Sequence, residues 1–283
     1  MDTAIVWAVL FQPVSQPALD TMPSQMLRHN LAKTGGNYDY HAVIQQQIIQ
    51  KLVRKLQHIA LPFTPRILEI GAATGNLSVR LQELWPHAHF TLTDASPEAL
   101  RLAKQRLNPK CQSVFKVVEL ADLPPEGHFD LIVSSMVLHW LPDAVNMLRK
   151  IIAALPPGGI FAFALLGQGS FDNWRRACHM AQVDCGLWDY PTAAQLRELP
   201  GVMVVQERMQ SFFESAEDFL LHLKAIDALA ARPGYRPRSI GDLARTIEAA
   251  NTIRPFVINY EILFGACHTT AGLADLPPQP LLL

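Results

Sequence analysis

The chain has 283 residues, of which 49% are hydrophobic and 17% charged, with a formal net charge of −1. That balance supplies a sizeable core and excludes a protein that coats nucleic acid through global charge, because such binding draws on many phosphate contacts. Cys111, Cys178, Cys185 and Cys267 form neither a CxxC site nor a ladder of pairs, and read as reduced thiols of a cytoplasmic protein.

The first apolar run, "AIVWAVLF" at Ala4–Phe11, falls well short of the ~20 residues of a membrane-spanning helix. No Lys or Arg precedes it, so a secretory signal is also disfavoured. Residues 1–30 read as a poorly ordered leader, with Met22 or Met26 as an alternative start. From 31 to 268 the pattern is that of a single α/β domain. Strands are expected at 66–71, 89–94, 114–119, 129–136 and 159–166, with helical patterns between them. The helix "NLSVRLQEL" covers 76–84. A further helix opens at Ser96, Pro97 and Glu98, which suit the cap, the first helical position and the positive end of the dipole.

After residue 166 the rhythm changes. A helical insertion is expected at about 167–200 around "SFDNWRRACHMA", a strand at 204–213, a helical stretch at 215–231 within a second insertion at about 215–254, and a last strand at 256–267. The tail, 269–283, carries three prolines and reads as a loose end. Five βα units followed by two late strands predict a doubly wound, Rossmann-like, seven-stranded and mostly parallel sheet whose final pair forms an antiparallel edge. The helical insertions then follow the fifth and sixth strands.

The opening strand runs into "EIGAATGN". A dinucleotide fingerprint needs G-x-G-x-x-G and a P-loop needs Gly-Lys-Ser/Thr; both fail here. What remains is Glu69, Gly71, Ala73 and Gly75 in an E-x-G-x-A-x-G pattern, with Asp94 closing the second strand. This resembles the first motif of the class I S-adenosylmethionine-dependent methyltransferases. The resemblance implies that Gly71 lets the backbone approach the cofactor, that Gly75 opens the helix and that Asp94 accepts hydrogen bonds from two ribose hydroxyls. Glu69 would face the cationic methionine end, and Ala73 places a methyl where the family usually has hydrogen. "VELADLP" resembles the adenine-reading segment, with Glu119 and Leu120 as contacts and Asp122 as the alternative acid. Ala95 and Ser134 complete the expected cofactor set.

Four further stretches narrow the resemblance. "NYDYHAVIQQQI", "LLGQGSFDNWRRA", "SAEDFLLHLKAIDA" and "NYEILFG" are similar to segments of the malonyl-acyl-carrier-protein O-methyltransferases, the enzymes that start pimelate synthesis for biotin. "SSMVLHW" departs from that family at Ser135 and His139, and its His-Trp form also occurs in a complex I assembly group. The implied reaction is attack of the malonyl carboxylate on the cofactor's sulfonium methyl, with S-adenosylmethionine as the only cofactor and no metal. The alternatives are another small carboxylate or a quinone precursor as substrate, or an assembly factor without activity.

Tyr38 is the first candidate for a substrate contact, with Arg175, Arg176 and Lys224 behind it. His139 is carried among the catalytic candidates, although a packed histidine at a helix start is the more ordinary reading. Trp174 and Trp188 could line an acyl channel or only pack. A malonyl-acyl-carrier protein is the expected partner. Lys224, Arg232, Arg236, Arg238 and Arg245, set against Asp227 and Asp242, form the proposed docking patch; the ordinary reading is a solvated face.

Overall fold

The computed structural model describes residues 38–123, 127–226, 228–235 and 239–269. The expected leader at 1–30 and the tail beyond 269 lie outside them. Helices α1 (Tyr38–His41) and α2 (Val43–Leu56) lead into β1 (Arg66–Ile70), α3 (Asn76–Leu84), β2 (His89–Asp94), α4 (Pro97–Arg106), β3 (Gln112–Val117), β4 (Leu131–Ser135), α5 (Ala144–Ala153) and β5 (Ile160–Leu166). Then come α6 (Asp172–Met180), α7 (Ala193–Arg197), β6 (Met203–Phe213), α8 (Ala216–Ala225), α9 (Ile240–Asn251) and β7 (Phe256–His268).

The seven strands form one sheet in the order β3-β2-β1-β4-β5-β7-β6. β1 pairs in parallel with β2 on one side and β4 on the other, and β7 runs antiparallel to both β5 and β6. The direction of winding therefore reverses at β1 and β4, where their carboxyl ends leave a crevice. β5, "IFAFALL", is buried at every position, as a central strand covered on both faces must be. Alternation splits the core. Ile67, Leu131, Val133 and Ala162 pack under α2, α3 and α4 through Ile48, Leu52, Leu81 and Ala103, whereas Leu68, Ile70, Ile132 and Phe163 pack under α5 through Leu148 and Ile151.

Local chemistry sets the helix starts. Ser96 Oγ accepts from Ala99 N–H at the head of α4, with Pro97 at the first helical position; Asp143, Ser215 and Ser239 cap α5, α8 and α9 in the same way. Several expected boundaries move, and β4 begins two residues later than expected, at Leu131. β3 begins and ends two residues earlier than expected, because Val114 and Val117 of this edge strand are exposed and give no burial signal. The helix expected to reach residue 231 ends at Ala225. Beyond it the chain is pinned to another loop: Arg232 N–H donates to Gly186 O (2.9 Å) and Trp188 Nε1 donates to Ala230 O (2.9 Å). Among the described residues no helix is long and apolar enough to cross a membrane.

Gly265 of β7 lies opposite Phe163 of β5, and a Cβ built there would sit 2.1 Å from the Phe163 ring. Gly265→Ala should therefore cost about 1 to 3 kcal/mol of stability through overpacking. Urea unfolding checks this, and an unchanged midpoint would refute the tight β5–β7 packing.

Candidate active site

The turn from β1 to α3 is built on three unusual backbone conformations. Gly71, Ala73 and Gly75 have φ of +75°, +45° and +85°, a region that glycine enters freely and alanine only at a cost. A Cβ on Gly71 would lie 2.2 Å from Val137, and one on Gly75 would lie 3.0 Å from the Ala103 backbone of α4. Both glycines are thus demanded by the packing of the chain on itself. Gly75 opens α3, as expected, and the Cβ side of Gly71 is occupied by Val137.

Asp94 holds this turn from the end of β2. Its Oδ2 accepts from Ala73 N–H (2.9 Å) and its Oδ1 from Ser96 N–H (2.8 Å). Each oxygen keeps further acceptor capacity, so two hydroxyls can still be received. Burial raises the Asp94 carboxyl above its ordinary range, against the opposing effect of these amides. Glu69 is directed elsewhere. It is 1% exposed and accepts from Ser78 Oγ of α3 (2.6 Å). Burial, with a smaller contribution from Asp94, pushes its carboxyl up to about 8.

A second network ties α1 to the same turn. Asp39 Oδ1 accepts from Thr74 Oγ1 and Asn76 Nδ2, each at 2.8 Å, and Asp39 Oδ2 pairs with the Arg106 guanidinium at the end of α4. Arg106 also donates to Thr74 O (3.1 Å) and Asn76 Oδ1 (2.7 Å). Tyr38, the neighbour of Asp39, is thereby held in the lining of a cleft.

That cleft runs from the β1 turn across the ends of β4 and β5, and its void, open mouth included, is about 1260 Å³. One half is formed by Gly71, Ala73, Asp94, Ala95, Val118 and Leu120; the other by His139, Trp140, Phe171, Tyr190, Leu223 and Tyr260. Phe171 itself adopts φ +62°. Glu261 of β7 fixes the loop that carries it: Gly169 N–H donates to Glu261 Oε2 (2.6 Å), Gly167 N–H donates to Glu261 O (2.8 Å), and a Cβ on Gly167 would meet the carboxylate at 2.5 Å.

Of the residues expected to contact the cofactor, Gly71, Ala73, Asp94, Ala95 and Leu120 line the cleft; Glu69, Gly75, Glu119 and Ser134 do not. Glu119 falls past the end of β3 and precedes the short turn of helix Leu120–Asp122, while Ser134 Oγ donates to Ile70 O (3.1 Å), joining β4 to β1. Of the candidates for catalysis, Tyr38 and His139 line the cleft. Arg175 does not: its guanidinium donates to Ser170 O and Trp188 O, which holds the α6 loop together. Lys224 is half-buried on α8 and outside the lining, where its neighbour Leu223 takes the place. Trp174 and Trp188 are packed outside the lining as well. Gln45, Tyr190 and Tyr260 were not expected there. Gln45 stands within the Tyr38 motif and could have been suspected; Tyr190 lies in a stretch without periodicity.

Among the described residues the lining offers carboxylate, hydroxyl, amide and imidazole groups and no Lys or Arg. A phosphate would be repelled there, while hydroxyls and a cation are received, which fits a nucleoside whose far end is a sulfonium and an ammonium. The sheet order, the glycine turn and the acid closing β2 define a class I methyltransferase. A family model for a methyltransferase domain matches residues 68–161. The chain is 33% identical over 235 residues to a malonyl-acyl-carrier-protein O-methyltransferase of Magnetococcus marinus, covering 81% of this chain and 87% of that one. A relative of the same name from Haemophilus ducreyi is 30% identical over 251 residues, covering 85% and 89%. The chain belongs to the malonyl-acyl-carrier-protein O-methyltransferase family. Among solved structures, phosphoethanolamine N-methyltransferase 2 of Haemonchus contortus shares the fold, with a TM-score of 0.54 at 15% identity and coverage of 89% of this chain and 61% of that one.

The Glu69 carboxyl carries a pH signature. Its folded pKa of about 8 lies above its ordinary value of 4.5, so ionisation opposes folding and stability falls as pH rises between these values. Glu69→Gln keeps a partner for Ser78 and removes that dependence. Its melting temperature should exceed the parent's near pH 8, with a gap that closes toward pH 5; a constant gap would contradict the buried, neutral carboxyl.

Proposed function

We propose that this chain methylates the free carboxylate of malonyl-acyl-carrier protein, giving the methyl ester that starts pimelate synthesis for biotin. The single observation that carries the reading is the continuity of one cleft from the acid-bearing end of β2 to a mostly apolar pouch at the end of β5. S-adenosylmethionine would supply the methyl group on its sulfonium. Asp94 would receive the two ribose hydroxyls, Ala73 and Ala95 would provide the adjoining backbone, and Val118 and Leu120 would flank the adenine. Glu69, Gly75, Glu119 and Ser134 would act behind this layer by fixing the turn and the strand ends.

The protein has little acid or base work to do, since a malonyl carboxylate is already ionised at neutral pH. Its task is to hold the carboxylate oxygen in line with the methyl group, which can supply roughly 7 to 11 kcal/mol. Negative nucleophile and positive sulfonium neutralise each other as the bond forms. An apolar pouch therefore favours the transition state, whereas a cation on the carboxylate would favour the ground state more. Tyr38, with a neutral hydroxyl in the lining, suits the contact better than Arg175 or Lys224. Esterification also removes a charge that apolar acyl pockets could bury only at high cost.

Carrier docking is assigned to the basic stretch around α8 and α9. Arg232 pairs with Asp184 and Arg245 with Asp242; Arg236, Arg238 and Asp227 lie outside the described residues. A small acidic carrier would meet this arginine-rich stretch through fork-shaped pairs.

Methyl transfer from labelled S-adenosylmethionine should proceed on malonyl-carrier protein, more weakly on malonyl-coenzyme A and least on free malonate. No transfer to either thioester would sink the reading. Asp94→Ala should weaken cofactor binding by about 1.5 to 3 kcal/mol in titration calorimetry, and equal affinity would move the pocket. Reversal of Arg236 and Arg238 to Glu should slow association with the carrier in a salt-sensitive way yet spare malonyl-coenzyme A turnover. Loss of neither activity would relocate the docking face.

A further inference from the structure

His139 is 3% exposed and belongs to the cleft wall. Its Nδ1 is buried and has no hydrogen-bond partner among the described residues. Buried polar atoms in folded proteins are nearly always paired, so an orphan in the wall of a cleft points to a ligand. The Tyr190 ring meets the imidazole edge-on, with centroids 5.8 Å apart and planes at 76°, and Trp140 lies at 5.1 Å on the same residue. Two aromatic neighbours thus restrict the ring's orientation. The short helix Leu138–Trp140 that carries it follows directly on β4 and Val137, the residue packed against Gly71. His139 therefore lines the cleft close in sequence to the residue that packs against the β1 turn.

Resting on the substrate reading above, we propose that His139 is a neutral hydrogen-bond donor to the malonyl carboxylate, holding the oxygen that becomes the ester carbonyl. Burial pushes the imidazole down to about 3, so it is uncharged in the free protein and is not a base that titrates near neutrality. A neutral imidazole carries one N–H and can give it to an anionic oxygen. The transferred methyl goes to the other oxygen. As the carboxylate charge vanishes, a neutral donor gives up little attraction, and the oxygen it holds remains a hydrogen-bond acceptor in the ester. A cation in this place would lose most of its partner's charge at the transition state.

The test compares His139→Phe, which keeps an aromatic ring without polar atoms, with His139→Asn, whose amide occupies the place of Nδ1. His139→Leu repeats the apolar test in a smaller side chain. Binding of malonyl-pantetheine to the complex with S-adenosylhomocysteine is measured by calorimetry, beside kcat and KM on malonyl-carrier protein and the affinity for S-adenosylhomocysteine alone. The Phe and Leu proteins should lose roughly 10- to 100-fold in malonyl-pantetheine affinity and in kcat/KM, the loss of one hydrogen bond to a charged group, while S-adenosylhomocysteine binds as in the parent. Asn should recover most of both losses. Parent-like kinetics in the Phe or Leu protein, or an Asn protein as impaired as Phe, would overturn the assignment. Parent turnover is measured first: its absence removes the substrate reading itself, whereas a working parent with an equally active Phe variant removes only the role of His139.

Discussion

The glycine-turn end of the cleft depends on the carboxyl of Asp94 and the backbone amides it accepts. One amide belongs to Ala73, in a conformation that alanine resists, and the other to Ser96, which caps α4. A single side chain thus joins the end of β2, the turn after β1 and the start of α4. The strained turn persists because its surroundings determine it more than once: Val137 blocks one side, Ala103 another, and Asp39 with Arg106 clamps the far end. The same anchoring leaves acceptor capacity on both Asp94 oxygens facing the cleft. Structural and chemical demands meet in one residue.

The opposite wall follows a comparable logic with different parts. Glu261 gathers the Gly167–Gly169 loop through backbone amides, which sets Phe171 and the adjoining pouch. The charges near this wall, those of Glu261 and Arg175, are turned into loop structure and away from the lining. The pouch is left apolar, with neutral polar groups at Tyr38, Gln45, His139 and Tyr190. Such a surface suits a reaction in which opposite charges annul each other, because water or a fixed cation would hold the carboxylate back.

The sheet was legible in the sequence because β1, β4 and β5 carry apolar runs and β2, "HFTLTD", alternates apolar and polar residues, with clear turn chemistry between them. Asp94, Gly71 and Ala73 were placed at the cleft from the sequence because they sit at or just past strand ends, where the chain's direction is fixed. The partner of Glu69 was not legible, because the motif does not say that Ser78, in the first turn of α3, lies above it. The partners of Arg175 were not legible, because the loop carbonyls of Ser170 and Trp188 are not visible as acceptors in a sequence. Tyr190 reaches the cleft through the irregular segment between α6 and α7, which has no period to read. The network of Asp39 joins residues from three separate elements, and only their assembly reveals it.

The most direct test of the account is the intact mass of malonyl-acyl-carrier protein after incubation with the protein and S-adenosylmethionine. The account predicts a gain of one methyl group, lost together with the acyl group when alkali cleaves the thioester, and no gain on an acetyl-carrier protein that lacks the free carboxylate. An unchanged malonyl-carrier protein, or a methyl group that survives alkali, would contradict it.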